Sequence, residues 1–274
     1  MRLFLRLLLH VLMIGLLTVF TQIGGLIYLL CLPILSWVGK KIEWNLGRRL
    51  VKIGLFGFLW TFLVVVVVPP LAQMNGRVPL PMNHPHLKPL HYGTVFLQRH
   101  YVRPELAEML IEQADQIAKQ YPGSVMAYMD ASHPFWNGYP LLPHISHNDG
   151  RKADIAFFFQ RENEPVQRIA PTFIGYGGCV MPRRSDYDTA ADCLAKGHWQ
   201  YDLLRKIMPT TRPNLSLDEN RTKYLLTRLA KDRRVGKVLL EPHLEQRLGL
   251  TAFGKIRFHG CHAVRHDDHL HVQL

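Results

Sequence analysis

Acidic residues are scarce in this chain. Against 33 lysines and arginines stand 21 aspartates and glutamates, a formal net charge of +12 over 274 residues. That imbalance favours an anionic partner, whether nucleic acid, an acidic lipid surface or an acidic polymer. No basic stripe is interleaved with aromatics and no nucleic-acid fold motif occurs, so the expected partners exclude nucleic acid. Cysteine is scarcer still, with four residues. The CxxC spacing is missing, which argues against a thiolate zinc site. Cys31 lies in an apolar run and reads as packing. Of the rest, Cys179 and Cys193 enclose a short polar loop and form the expected bridge, leaving Cys261 free. Internal repeats are absent, and low complexity is confined to the valines Val64 to Val68.

Long apolar runs, by contrast, are plentiful at the start. Leu3 to Val38 is almost unbroken, and Ile53 to Val68 is a second run before Pro69-Pro70. A bilayer span needs about 20 apolar residues. The second run qualifies as one span. The first holds one span or a two-pass hairpin around Gln22 to Gly25. It is too long for a signal peptide, and no small-residue cleavage site follows it. Between the runs, Lys40, Lys41, Arg48, Arg49 and Lys52 face a single Glu43. By the positive-inside rule this loop stays in the cytoplasm. The expected location is therefore the cytoplasmic (inner) membrane, with the C-terminal domain facing the periplasm or the cell exterior. The expected organisation is a membrane anchor over 1–72, a tether over 73–90 rich in Pro, Asn and His, and a globular domain over 91–274. Membrane lipid is a partner through the N-terminal helices.

Within the domain, Pro104 to Gln120 is the clearest helix, with Leu106, Leu110, Ala114 and Ile117 at helical spacing. Ser216 to Asp232 is a second, opened by Ser216 with Glu219 three residues on. Trp199 to Ile207 and Pro242 to Leu248 read as shorter helical stretches. Strands are expected at Ser124 to Ala131, Ile155 to Phe159, Lys237 to Leu240, Ile256 to Phe258 and Leu270 to Leu274. Helices and strands do not alternate, so the fold class is α+β, a mostly antiparallel sheet with flanking helices.

Two histidine clusters stand out. The first runs from His144 through His147 to Asp154; the second is His266-Asp267-Asp268-His269-Leu270-His271. On a strand, residues i and i+2 share a face, so His269 and His271 point the same way. Asp268 falls on the opposite face of a regular strand. Asp154 stands at the head of an apolar run, where an unpaired carboxylate is costly and a cation removes the cost. Zinc favours such a His and carboxylate set, and a catalytic zinc keeps three protein ligands. The residues offer His147, Asp154 and a histidine from the tail.

The pattern His-x-Ser-His-x-x-Gly-x-x-x-Asp, carried by His144, Ser146, His147, Gly150 and Asp154, is followed at the end by His-x-x-His-x-His-Val, carried by His266, His269, His271 and Val272. Together these resemble the penicillin-insensitive murein endopeptidases, within the group of lysostaphin-type peptidases, D-Ala-D-Ala metallopeptidases and hedgehog domains. Val238 to Leu248, with Pro242 in its middle, resembles the family segment before the last motif. The resemblance covers roughly residues 90 to 274. It implies a zinc site of His147, Asp154 and His271, with His269 and His266 moving protons. Relatives of the D-Ala-D-Ala type place a carboxylate base where Asp268 stands. The implied activity is zinc-dependent hydrolysis of D-amino-acid-containing peptide crosslinks, with the peptidoglycan peptide as partner. A D,D-carboxypeptidase or dipeptidase is one alternative, with Arg151 considered for a carboxylate pocket. A non-catalytic zinc-binding membrane module is another.

Overall fold

A computed structural model describes the chain from Met1 to Leu274, the side chain of Arg2 excepted. The first apolar run folds as two helices, α1 (Arg2–Thr21) and α2 (Gly24–Lys40), turned back on each other at Gln22 and Ile23. Gln22 takes a left-handed backbone, φ 69°. The sharp return needs Gly24, where a Cβ would collide with Thr21 and the Trp60 ring. The second run forms α3 (Asn45–Phe62), which passes through a π turn at Leu63–Val67 into α4 (Val68–Met74). Pro69 and Pro70 fall in the first turn of α4, and the wider π turn before them absorbs the lost hydrogen bonding. By length and composition two helical stretches, Leu3–Thr21 and Asn45–Met74, can cross a membrane; Gly24–Lys40 is shorter. The basic loop between the runs is reduced to a tight turn at residues 41–44.

Residues 73–90, expected as a tether, are instead built into the fold. They carry β1 (Val78–Pro79) and β2 (Leu87–Pro89), and Leu80 and Leu87 are buried. The two leucines are isolated among Pro, Asn and His, so no period betrays them. Pro89 is tolerated because β2 is an edge strand. There follow α5 (Gly93–Phe96), β3 (Tyr101–Val102), α6 (Pro104–Gln120), β4 (Met126–Tyr128), β5 (Lys152–Ala156), β6 (Phe159–Arg161) and β7 (Glu164–Val166). Beyond them lie α7 (Thr189–Ala195), a 3-10 turn at Trp199–Asp202 running into α8 (Leu203–Ile207), β8 (Ser216–Leu217), α9 (Glu219–Lys231), β9 (Lys237–Leu239), α10 (Pro242–Arg247), β10 (Ile256–Arg257) and β11 (His269–Gln273).

The fold class is α+β, and the main sheet is mixed, with three of its five strand pairs antiparallel. Its order is β10-β9-β11-β5-β4-β2. The centre, β9-β11-β5-β4, pairs antiparallel, while β10 on β9 and β2 on β4 pair parallel at the two edges. The helix α10 between β9 and β10 is the crossover a parallel pair needs. The core under the sheet is made by α6, through Leu106, Leu110 and Ile117, and by α9, through Leu225, Leu226 and Leu229. Ser216 is not the cap of α9: it lies in β8, and Asp218 caps by accepting from the Arg221 backbone N–H. A second sheet, β7-β6-β8, contains a hairpin that the sequence reading missed. Its turn is Glu162-Asn163, both at positive φ, a geometry matched to the strand twist.

The disulfide also differs from expectation. Cys193 of α7 is bonded to Cys261, with a Cα–Cα distance of 5.3 Å, and Cys179 is free. Short sequence separation misled: the loop after β10 folds back onto α7, while Cys179 faces the charged residues Asp267 and Asp268.

Candidate metal centre

The central strand pair sets the geometry. Antiparallel β11 and β5 are in register with His271 opposite Asp154 and His269 opposite Ala156. Asp154 therefore sits in the middle of its strand, which begins three residues earlier than the expected start at Ile155. His147 arrives from the long loop after β4. Its Nδ1–H donates to the Ala131 carbonyl, 2.8 Å away, which turns Nε2 toward the strand pair.

Three donor atoms converge there. His147 Nε2 and His271 Nδ1 are 3.0 Å apart, and Asp154 Oδ1 is 3.0 Å from His271 Nδ1 and 3.2 Å from His147 Nε2. Tetrahedral coordination with bonds of about 2.0–2.1 Å separates donors by about 3.3 Å. The triangle fits a tetrahedral cation with small adjustment, and all three residues are buried. The sequence brought these same three together, and the cluster can bind a metal ion. It lies in the wall of a cleft of about 430 Å³ that also contains His144, His266, His269 and Lys237. A larger cavity of about 570 Å³, between β6, β8 and residues 178–183, is lined by none of the three.

The surroundings tune each group. Burial opposes a charge on Asp154, yet His147 and His269 beside it hold its carboxyl well below the usual range. Its second oxygen accepts from the Tyr176 hydroxyl at 2.7 Å. Burial draws His271 down to about 4, despite its bond to Asp154.

His269 shares the strand face with His271, as the alternation required, and its Nε2 is 3.5 Å from Asp154 Oδ1. Burial disfavours its charge, but Asp154 and Asp268 outweigh burial and raise it to about 9. A bound cation would cancel the Asp154 share and leave Asp268 as the support. Asp268 itself does not reach the cluster. One oxygen accepts from His269 Nδ1 at 2.5 Å, the other from the Gly177 backbone N–H at 2.6 Å. The geometry thus gives Asp268 an orienting contact rather than a place beside the donors. His266 lies in the cleft wall, its ring 5.0 Å from that of His269 and 5.7 Å from that of His271. Burial, reinforced by His269 and His259, keeps His266 well below the ordinary histidine range, and its Nδ1 has no hydrogen-bond partner.

Several neighbours escaped the sequence reading. Tyr176 is one; its place between Gly175 and Gly177, both at positive φ, was the only available signal. Side chains there would strike Met129 and the Leu204 carbonyl. Asp130 is another: it accepts from His144 Nδ1 at 3.1 Å and pairs with Arg99 at 2.9 Å. Behind β11, Glu241 accepts from the Tyr201 hydroxyl at 2.5 Å and from the His266 backbone N–H at 3.1 Å. Arg265 bridges Asp267 and Asp202 beside it. Arg151 is exposed and takes no part in the cleft wall.

No family model matches the chain, and no curated protein matches it.

Proposed function

We propose that the chain is a membrane-anchored zinc metallopeptidase that hydrolyses D-amino-acid-containing peptide crosslinks of peptidoglycan. The observation that carries this reading is the pairing of the His147, Asp154 and His271 triangle with His269, a buried histidine held by its own carboxylate at the edge of the same cleft. His147, Asp154 and His271 hold the ion; two nitrogens and one oxygen suit zinc. When bound, zinc polarises a carbonyl and makes water acidic enough to serve as a nucleophile near neutral pH.

The remaining work falls to side chains of this chain. His269 holds a proton at Nε2, on the side facing Asp154, and can pass it to the leaving amine. Asp268 keeps the His269 ring in one orientation and fixes its Nδ1 as the donor. Tyr176 occupies the second oxygen of Asp154, so that only Oδ1 turns to the ion. His266, kept neutral, is the second candidate for proton traffic. The charge of the chain suits an anionic polymer.

The exposed position of Arg151 removes the residue considered for a carboxypeptidase pocket, which favours an endopeptidase. The open cleft and the proton-holding His269 favour a catalytic over a purely structural metal. The test is metal analysis of the purified full-length chain paired with turnover of crosslinked muropeptides. The expected result is about one zinc per chain, internal cleavage products and loss of turnover on chelation. Release of single terminal D-amino acids favours the carboxypeptidase alternative; bound zinc without turnover favours the module.

A further inference from the structure

The helical hairpin stops short of where the apolar helix beside it ends. Gly24 at the hairpin tip lies against the Trp60 ring, and Gly39 at the other end lies against Lys52. From Trp60 the same helix runs on through the five valines to Val68, a further rise of about 12 Å. Over that stretch Val64 and Val68 are buried, but Phe62, Val65 and Val66 remain exposed, as does Leu71 just beyond it. Apolar side chains in a continuous span call for hydrocarbon around them. The hairpin helix rises about 22 Å from Gly24 to Gly39 and the neighbouring helix about 34 Å from Asn45 to Val68, so a core about 30 Å thick that starts at the Lys40 end reaches past the hairpin tip.

The metal domain meets the helices at the hairpin tip. Its loop at 135–139 is clamped to the tip: Gln22 Oε1 accepts from the Phe135 backbone N–H at 2.8 Å, and the Tyr139 hydroxyl donates to the Thr18 carbonyl at 2.6 Å, one turn below the tip. On another side, Trp60 Nε1 donates to the Phe96 carbonyl at 3.2 Å. Around these contacts the domain exposes Phe96, Leu97, Trp136, Leu142, Ile145 and Phe173. Leu97 lies in the wall of an apolar groove between α1 and α3 and also in that of a small cavity shared with Pro143 and Tyr176. Pro143 and Ile145 in turn form the lip of the metal cleft. Exposed apolar residues therefore recur from the apolar helices to the mouth of the cleft, with His91, Arg99 and Asp130 among them in the linking cavity.

We propose that the domain is seated in the headgroup layer by these exposed apolar residues, so that the metal cleft opens onto the bilayer and takes a peptide still tethered to a membrane lipid. Its substrate half rests on the peptidase reading above; its seating half does not. Tryptophan and other amphipathic or apolar residues at the edge of a span suit that layer. A lipid-tethered peptide reaches the cleft at the high effective concentration of the surface, whereas a soluble one must find it from bulk.

The experiment uses the full chain in phosphatidylethanolamine and phosphatidylglycerol vesicles, with the two unpaired cysteines replaced by serine. A fluorophore is placed on Leu142→Cys, Phe173→Cys, Phe58→Cys on α3 and Lys231→Cys on α9. Lipids with a quencher near the headgroup should quench at 142 and 173, deeper quenchers at 58, and neither at 231. Unquenched 142 and 173 overturn the seating, whatever happens at 58. In the same vesicles one crosslinked peptide is offered free and on a lipid anchor. The anchored form should be cleaved with kcat/KM at least about tenfold higher. Cleavage of the free peptide alone sinks the inference and spares the peptidase reading. Cleavage of neither sinks the peptidase reading and the substrate half with it, while the quenching still decides the seating.

Discussion

The two halves of the candidate metal centre are held in different ways. His271, His269 and Asp154 stand on paired strands, where the backbone ladder fixes register and the alternation fixes direction. His144 and His147 stand on a loop that has no ladder. It is held by the Ala131 carbonyl, by Asp130, by Arg77, which donates to Asn137 and to the carbonyls of His133 and Asn148, and by Gln22 from the N-terminal helical hairpin. The strand half carries its own precision. The loop half borrows it, in part from a helix turn more than a hundred residues away in sequence.

The sharpest way to break the comparison is at the strand residue that touches a histidine of each half. Asp154→Ala should abolish stoichiometric metal and lower turnover by about three orders of magnitude or more, the loss of several kcal/mol of charge stabilisation. Elemental analysis of the purified variant decides it: full metal occupancy would show the donors misassigned. Next, within the strand half, His269→Ala should keep the metal and lower kcat by about two to four orders of magnitude. Asp268→Asn, which disturbs only the orientation of that ring, should cost about ten- to a hundredfold. Equal losses for the two would make Asp268 more than an orienting partner.

The loop half is probed at Gln22. Gln22→Ala removes two hydrogen bonds to the 135–136 backbone, worth about 1–2 kcal/mol together. Metal affinity should fall about tenfold, comparable to loss of other supporting partners. Competitive chelator titration measures it, and an unchanged affinity would show that the loop is precise without the hairpin. The smallest effect lies behind the strand half. Burial, then Asp267, raises Glu241 to about 7 from its ordinary 4.5. A raised carboxylate stabilises the fold below about 4.5, and that contribution is lost as pH rises through about 7. Glu241→Gln can still accept from Tyr201 and the His266 N–H. Its melting temperature relative to the parent should therefore rise by a few degrees between pH 5 and 8. Parallel melting curves across that range would remove Glu241 from the account.

The same contrast explains what was legible in the sequence. Period-two alternation placed His269 and His271 together, and the carboxylate in an apolar run marked Asp154. Helix α6 was readable from Pro104 and its apolar stripe. Tyr176 and Asp130 were not, because their contacts with Asp154, His144 and Arg99 are made by tertiary folding, with no spacing to announce them. Leu80 and Leu87 were missed for the related reason that a two- or three-residue strand has no measurable period. The α9 cap was displaced by two residues because Ser216 and Asp218 both offer a capping oxygen, and the pairing of β8 with β6 decides between them. The bridge was misread because proximity in sequence says little about which loops meet.

That bridge bears on how the cleft is held together. The segment enclosed by Cys193 and Cys261 contains none of the three metal donors, which lie on either side of it. It does end at the loop of His262, Ala263 and Val264 that forms the far wall of the cleft. The bridge and the three candidate donors therefore draw on separate stretches of chain: the covalent tie fastens the 262–264 wall of the cleft to α7, and its reduction should loosen that wall while leaving His147, Asp154 and His271 on the elements that hold them.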